Sequence, residues 1–188
     1  MRKVSLLIAT FFLIVPFSKA QVKQLDTKSS TITWLGKKVT GEHTGYISFK
    51  SGSLKMKNNQ LVGGEFTVDM TSITCTDIEN KDYNAKLVGH LKSDDFFGVD
   101  KHPTSHLKIT KVSGKDSKYN VKGELSIKGK THPIAFDVIK EGHSFTGKLV
   151  VDRTKYDVRY GSGKFFENLG DKMIYDDFEL NFKVHVTK

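Results

Sequence analysis

The chain has 188 residues, room for one domain with a sizeable core, and carries 30 Lys+Arg against 21 Asp+Glu, a formal charge of +9. Its lysines are scattered, mostly opposite apolar neighbours, and form no basic cluster, which argues for solvated strand faces and against a nucleic-acid partner. Cys75 is the single cysteine, so no intrachain disulfide can form; it reads as a small, partly buried apolar residue, and stability has to come from a packed core and a closed sheet.

In chain order, Arg2 and Lys3 precede an apolar run, Leu6 to Phe17, too short to span a bilayer comfortably. Ser18-Lys19-Ala20 then places small residues at the −3 and −1 positions. This pattern predicts a secretory signal peptide over 1–20, cut between Ala20 and Gln21, and a periplasmic or secreted domain over 21–188. Glutamine rather than cysteine after the cut argues against a bacterial lipid anchor. Loss of Arg2, Lys3 and Lys19 lowers the charge to about +6.

From Ser29 onward the chain reads mainly as strands. Residues 29–38 are rich in β-branched side chains. Over 44–57, Ile47 and Phe49 share a face, but after Ser51-Gly52 the apolar positions become Leu54 and Met56. Such a parity slip predicts a bulge or bend. Over 61–73, Phe66, Val68 and Met70 oppose Glu65, Thr67 and Asp69. Residues 76–100 break the period: Thr76 and Glu79 have capping-box spacing, and Tyr83, Leu87 and Leu91 form a stripe, predicting a short helix near 77–92. After residue 104 the alternation resumes, with Leu107 and Ile109, then Leu125 and Ile127, then Phe136 and Val138, then Phe145, Leu149 and Val151. The last strand is the cleanest, with Phe178, Leu180, Phe182, Val184 and Val186 on one face. A second break falls at 159–173.

Eight strands with short polar links predict an all-β protein, an extended eight-stranded antiparallel up-and-down barrel carrying one short helix. Such a barrel either fills itself or holds one slender ligand, and strands of roughly ten residues make an interior roughly 30 Å long. The candidate ligand-binding residues are therefore the inward apolar ones named above: Phe49, Phe66, Val68, Met70, Ile109, Leu125, Ile127, Phe136, Leu149, Phe178, Leu180 and Phe182. Phe96, Phe97 and Arg153 join them at a mouth.

Adjacent phenylalanines in charged turns need an apolar support, because burying one is worth roughly 1.5–3 kcal/mol. Both pairs, Phe96-Phe97 and Phe165-Phe166, are expected to cover barrel ends or a dimer interface. Arg153 and Arg159 are the only arginines after residue 20. Arginine suits planar bidentate bonding, so Arg153 is expected to pair with Asp152 or Asp157, or to hold a polar ligand head. His90 is read as an ordinary surface or capping histidine, with a place at the mouth as the minor alternative. "GSGK" at 161–164 lacks the upstream glycine and the Ser/Thr of a phosphate loop. His102 and His106, four apart on an extended segment, lie roughly 13 Å apart and cannot share an ion. No catalytic residue and no metal ligand is assigned, since no zinc-protease, dithiol or nucleophile-elbow motif occurs.

"HLKSDDFFGVDKHPT", "GELSIKGKTHPIAFDV" and "VDRTKYDVRYGSGKFF" resemble the signature stretches of the YceI-like family, polyisoprenoid-binding proteins of the bacterial periplasm. The likeness covers essentially all of 21–188. It departs from the common family pattern at Gly98, usually acidic, and at His102-Pro103, usually Tyr-Pro. The resemblance implies a lipocalin-like barrel holding a long isoprenoid chain, no catalytic residues, and a homodimer in some members. The expected function is a carrier that sequesters a polyisoprenoid or quinone-type lipid, with no cofactor besides that lipid. Two alternatives remain. One is a solid-cored interaction module working through its Phe-rich ends. The other is an enzyme on a lipid-like or amide substrate, for which the chain offers no nucleophile-base pair.

Overall fold

The computed structural model describes residues 19–187, so the expected leader lies outside the described residues apart from Lys19 and Ala20. Among the described residues nine antiparallel strands form one sheet: β1 (Gln21–Gln24), β2 (Thr31–Lys38), β3 (Gly41–Lys57), β4 (Gln60–Asp69), β5 (Thr104–Lys115), β6 (Lys118–Ile127), β7 (Lys130–Glu141), β8 (Ser144–Asp152) and β9 (Ile174–His185). The order β3-β2-β9-β8-β7-β6-β5-β4 returns to β3 through the β3–β4 pair, closing an eight-stranded up-and-down barrel. Closure removes the sheet edges that would otherwise invite aggregation.

The ninth strand, β1, is absent from the sequence-based expectation. It pairs with β3 on the same edge as β2, Gln21 opposite Met56 and Ile32 opposite Ile47. The two are one barrel staple interrupted by a turn, in which Asp26 accepts from the Lys28 amide at 3.0 Å and the Ser29 hydroxyl at 2.7 Å. Four residues with little alternation gave no period to read.

The parity slip in β3 is a register shift against β4 between Phe49 and Ser51. Gly52 lies there because a Cβ would come within 2.5 Å of the Phe66 ring. Two tight hairpins use consecutive left-handed residues, Asn58-Asn59 and Lys128-Gly129, as two-residue turns of matching twist require.

The expected short helix is present, and two boundaries differ from the sequence pattern. The helix, α1 (Lys81–Lys92), begins four residues later than 77. Asn80 rather than Thr76 caps it, its side-chain oxygen accepting from the Asp82 and Tyr83 amides at 3.0 and 3.1 Å. Tyr83 is exposed and no residue of the helix is fully buried; Leu87 and Leu91 are half-buried. The strand expected to run to residue 73 stops at Asp69, whose carboxylate caps a single 3-10 turn, Met70–Ser72. Met70 nevertheless stays buried.

Inward residues pack as two clusters. A large one runs along the barrel through Leu54, Phe66, Val121, Leu125, Phe145 and Val184. A smaller one at the helix end joins Ile32, Ile47, Met70, Ile73 and Val99.

Candidate functional site

The interior holds two apolar chambers. The helix-side chamber is walled by Trp34, Ile47, Met70, Phe96, Phe97 and Phe178, with about 850 Å³ of empty space including its open end. The distal chamber is walled by Phe49, Phe66, Ile109, Phe136, Leu149 and Phe182, with about 660 Å³ on the same measure. Ile32, Val68, Leu125 and Leu180 line both, so they form a shared waist. Exposed Lys37, Tyr175 and Asp177 border the helix-side chamber where the β2–β9 register breaks between Gly36 and Lys38, and there it meets solvent.

Every candidate ligand-binding residue named from sequence lines one chamber or the other, Ile127 and Arg153 on the helix side included. Period-two alternation carried that reading, because strand residues in phase share a face. It missed Ile32 and Trp34, which alternate in β2 and were legible by the same rule. It also missed Ser105, in phase with Leu107 and Ile109 but hidden by its polarity. Ser105 is 6% exposed, lines the helix-side chamber, and its hydroxyl has no hydrogen-bond partner.

Phe96 and Phe97 close the chamber by way of a pinned turn. The Ser93 carbonyl accepts from the Phe96 and Gly98 amides at 3.0 and 2.7 Å. The Lys128 ammonium, carried by its hairpin, donates to the Asp94 and Phe96 carbonyls at 2.9 and 2.8 Å. The two rings meet edge to face at 5.0 Å, and Phe97 reaches Phe178 at 6.2 Å.

Arg153 is 2% exposed and does not pair as expected. Its guanidinium donates to the backbone carbonyls of Val158, Ile174 and Tyr175 at 2.8, 3.0 and 3.1 Å, and stacks 5.5 Å from the Phe96 ring. Asp176, not Asp152 or Asp157, is the nearest carboxylate, at 3.8 Å. Burial pulls the guanidinium's pKa below its ordinary value, and Asp176 and Asp152 oppose that pull. With a donor from each of its three nitrogens on a backbone carbonyl, Arg153 is a clamp fastening 158–175 to the barrel end. Asp157 instead pairs with Arg159 at 2.6 Å.

Lys164 of "GSGK" is held between Asp152 at 3.1 Å and Asp176 at 3.3 Å, which leaves it no free charge for a phosphate. Burial pushes the Asp152 carboxyl up, but hydrogen bonds from Thr154 and Lys164 outweigh it and hold the pKa below the ordinary value. His90 does not line either chamber; it packs between Phe96 at 5.6 Å and Tyr160 at 4.4 Å. Phe165 and Phe166 cover no barrel end: both are exposed in the single chain, and the Arg159 guanidinium lies 4.9 Å from the Phe165 ring.

Residues 24–186 match the YceI-like domain. The chain belongs to the YceI-like family. A UPF0312 protein of Staphylococcus epidermidis is 31% identical over 133 residues, 61% of this chain and 72% of its own. Among solved structures, BcnA of Burkholderia cenocepacia superposes with a TM-score of 0.65 at 23% identity, over 87% of this chain and 99% of that one. A polyisoprenoid binding domain from Saccharophagus degradans, implicated in plant cell wall breakdown, gives 0.59 at 15% identity, over 88% and 98%. At such identities the likeness speaks for the YceI-like barrel, and the paired chambers supply the chemistry. No helix among the described residues is long and apolar enough to cross a membrane.

Proposed function

We propose that this YceI-like chain is an exported carrier that sequesters one long apolar lipid, of polyisoprenoid or quinone type, along the barrel axis. The observation that carries the reading is a pair of apolar chambers that adjoin along the barrel at a waist of shared lining residues, Ile32, Val68, Leu125 and Leu180. Burying apolar chain there gains about 25 cal/mol per Å² removed from water. A slender chain fits this division better than a compact ligand, because it can occupy both chambers at once. The unpartnered Ser105 hydroxyl offers such a ligand one hydrogen bond, and Lys37 offers a charge at the mouth. The structural relative from Saccharophagus degradans is a polyisoprenoid binding domain.

The test is lipid extraction and native mass spectrometry of the purified protein, followed by titration of the delipidated form with a long-chain polyprenyl alcohol. Filling the waist by Leu125→Trp or Leu180→Trp is expected to weaken binding at least about tenfold while the β-sheet circular dichroism stays intact. No co-purified lipid together with no binding by the wild-type protein overturns the reading, as does binding undiminished in both waist variants.

A further inference from the structure

A second constellation lies outside the barrel interior. Residues 74–77 run antiparallel to the start of β3, the Thr74 amide donating to the Tyr46 carbonyl at 3.0 Å and the Thr76 amide to the Thr44 carbonyl at 2.9 Å. This spacing sets His43 opposite Asp77 and Gly45 opposite Cys75. Alternation then sends the His43, Cys75 and Asp77 side chains out of one face. Gly45 makes the approach possible, since a Cβ there would lie 1.8 Å from the Thr74 carbonyl oxygen.

The resulting cluster is tight. His43 Nδ1 lies 2.8 Å from Asp77 Oδ2, and the Cys75 thiol donates to Asp77 Oδ1 at 3.3 Å. One ligand atom from each of the three residues lies within 4.8 Å of the others. The surroundings hold them in place. The Thr44 amide donates to Asp77 Oδ1 at 2.9 Å, the Trp34 indole N–H to the Thr74 carbonyl at 2.9 Å, and the Asn84 amide to the Cys75 carbonyl at 3.0 Å.

We propose that His43, Cys75 and Asp77 form a three-ligand site for Zn²⁺, its fourth position open to solvent. Zinc bonds of about 2.0–2.3 Å place tetrahedral ligand atoms roughly 3.3–3.6 Å apart, a spacing reached here by small side-chain rotations. One sulfur, one imidazole nitrogen and one carboxylate oxygen suit zinc and not calcium or magnesium, which take oxygen ligands. Cys75 is buried whereas His43 and Asp77 are each about a third exposed, so an ion enters from the carboxylate side. Ligation replaces the thiol proton, which passes to solvent, and takes His43 as the tautomer with its proton on Nε2. The ion would fasten β3 to the segment between Ile73, in the wall of the helix-side chamber, and α1. The proposal does not depend on the lipid reading.

The test is titration of metal-free protein with Co²⁺ and then Zn²⁺, the protein being handled under reducing conditions. One equivalent of Co²⁺ is expected to give a thiolate-to-cobalt charge-transfer absorption that Zn²⁺ abolishes. Cys75→Ser should remove that absorption, and His43→Ala or Asp77→Asn should weaken Zn²⁺ binding at least about tenfold. Circular dichroism of each variant reports whether the barrel persists. Absence of the absorption in the folded wild-type protein overturns the site, and so does stoichiometric Zn²⁺ binding undiminished in Cys75→Ser.

Discussion

Phe96-Phe97 and Phe165-Phe166 are alike as sequence: adjacent phenylalanines in a polar turn with glycine nearby. Their surroundings are opposite. Phe96 is 7% exposed and Phe97 half-buried, laid across the helix-side chamber by Lys128 and stacked on Arg153 and Phe178. Phe165 and Phe166 are 44% and 49% exposed, their amides turned back onto the Ser162 carbonyl at 3.1 Å each. It is Gly161 and Ser162, just before the second pair, that are buried, the Gly161 carbonyl accepting from the Ile174 amide at 2.8 Å. A turn buries its aromatic residues only where the rest of the fold leaves an apolar opening under it. Arg153 joins the two regions, stacking under the first pair while bonding carbonyls on both sides of the second.

That shared role makes Arg153→Met the sharpest probe. It strands three carbonyls, and urea denaturation should show a loss of about 3–5 kcal/mol. A loss below about 1 kcal/mol would mean that the clamp is not what fastens 158–175. Phe96→Ala comes next, at about 3 kcal/mol in the same assay, since it opens a cavity at a buried aromatic site. Phe97→Ala, half-buried, should lose less stability than Phe96→Ala while still weakening the lipid binding proposed above.

Tyr156, buried beside Arg153 on the same short turn, supplies a pH probe of the first region's support. Burial, with a smaller contribution from Asp152, raises its phenol from 10.0 to about 12. Above pH 10 the unfolded chain releases a proton that the folded chain keeps, so stability falls as pH rises from 10 towards 12. The loss should reach up to about 2 kcal/mol, and Tyr156→Phe should lack this part of the slope. The smallest effect is expected at the second pair: Phe165→Ser and Phe166→Ser should each change stability by under about 0.5 kcal/mol. A concentration-dependent loss above about 1 kcal/mol would show these rings covered by a second copy, and the contrast between the pairs would dissolve.

Much of the interior was legible because alternation is a local property of a strand. Phe66, Val68, Leu125, Leu180 and their in-phase neighbours needed only their own segments to be assigned to a face. Arg153 was noticed for its rarity, yet its partners were misread: nearby Asp152 and Asp157 lost to carbonyls as many as 22 residues away. The helix cap went to Asn80 because Thr76 was drawn into pairing with Thr44, an interaction no local pattern shows. His102 and His106 attract attention by spacing and share nothing. His43, Cys75 and Asp77, the first two far apart in the chain, share a face only through the fold.

By itself the sequence determined the strand faces, the barrel class and the family, since side-chain period and signature segments survive without knowledge of neighbours. Only the tertiary structure decided which phenylalanine pair is covered, what Arg153 holds, and that the interior divides into two chambers with shared lining residues at their waist. Those outcomes depend on register and on space between segments far apart in the chain, and closing the barrel is what sets both.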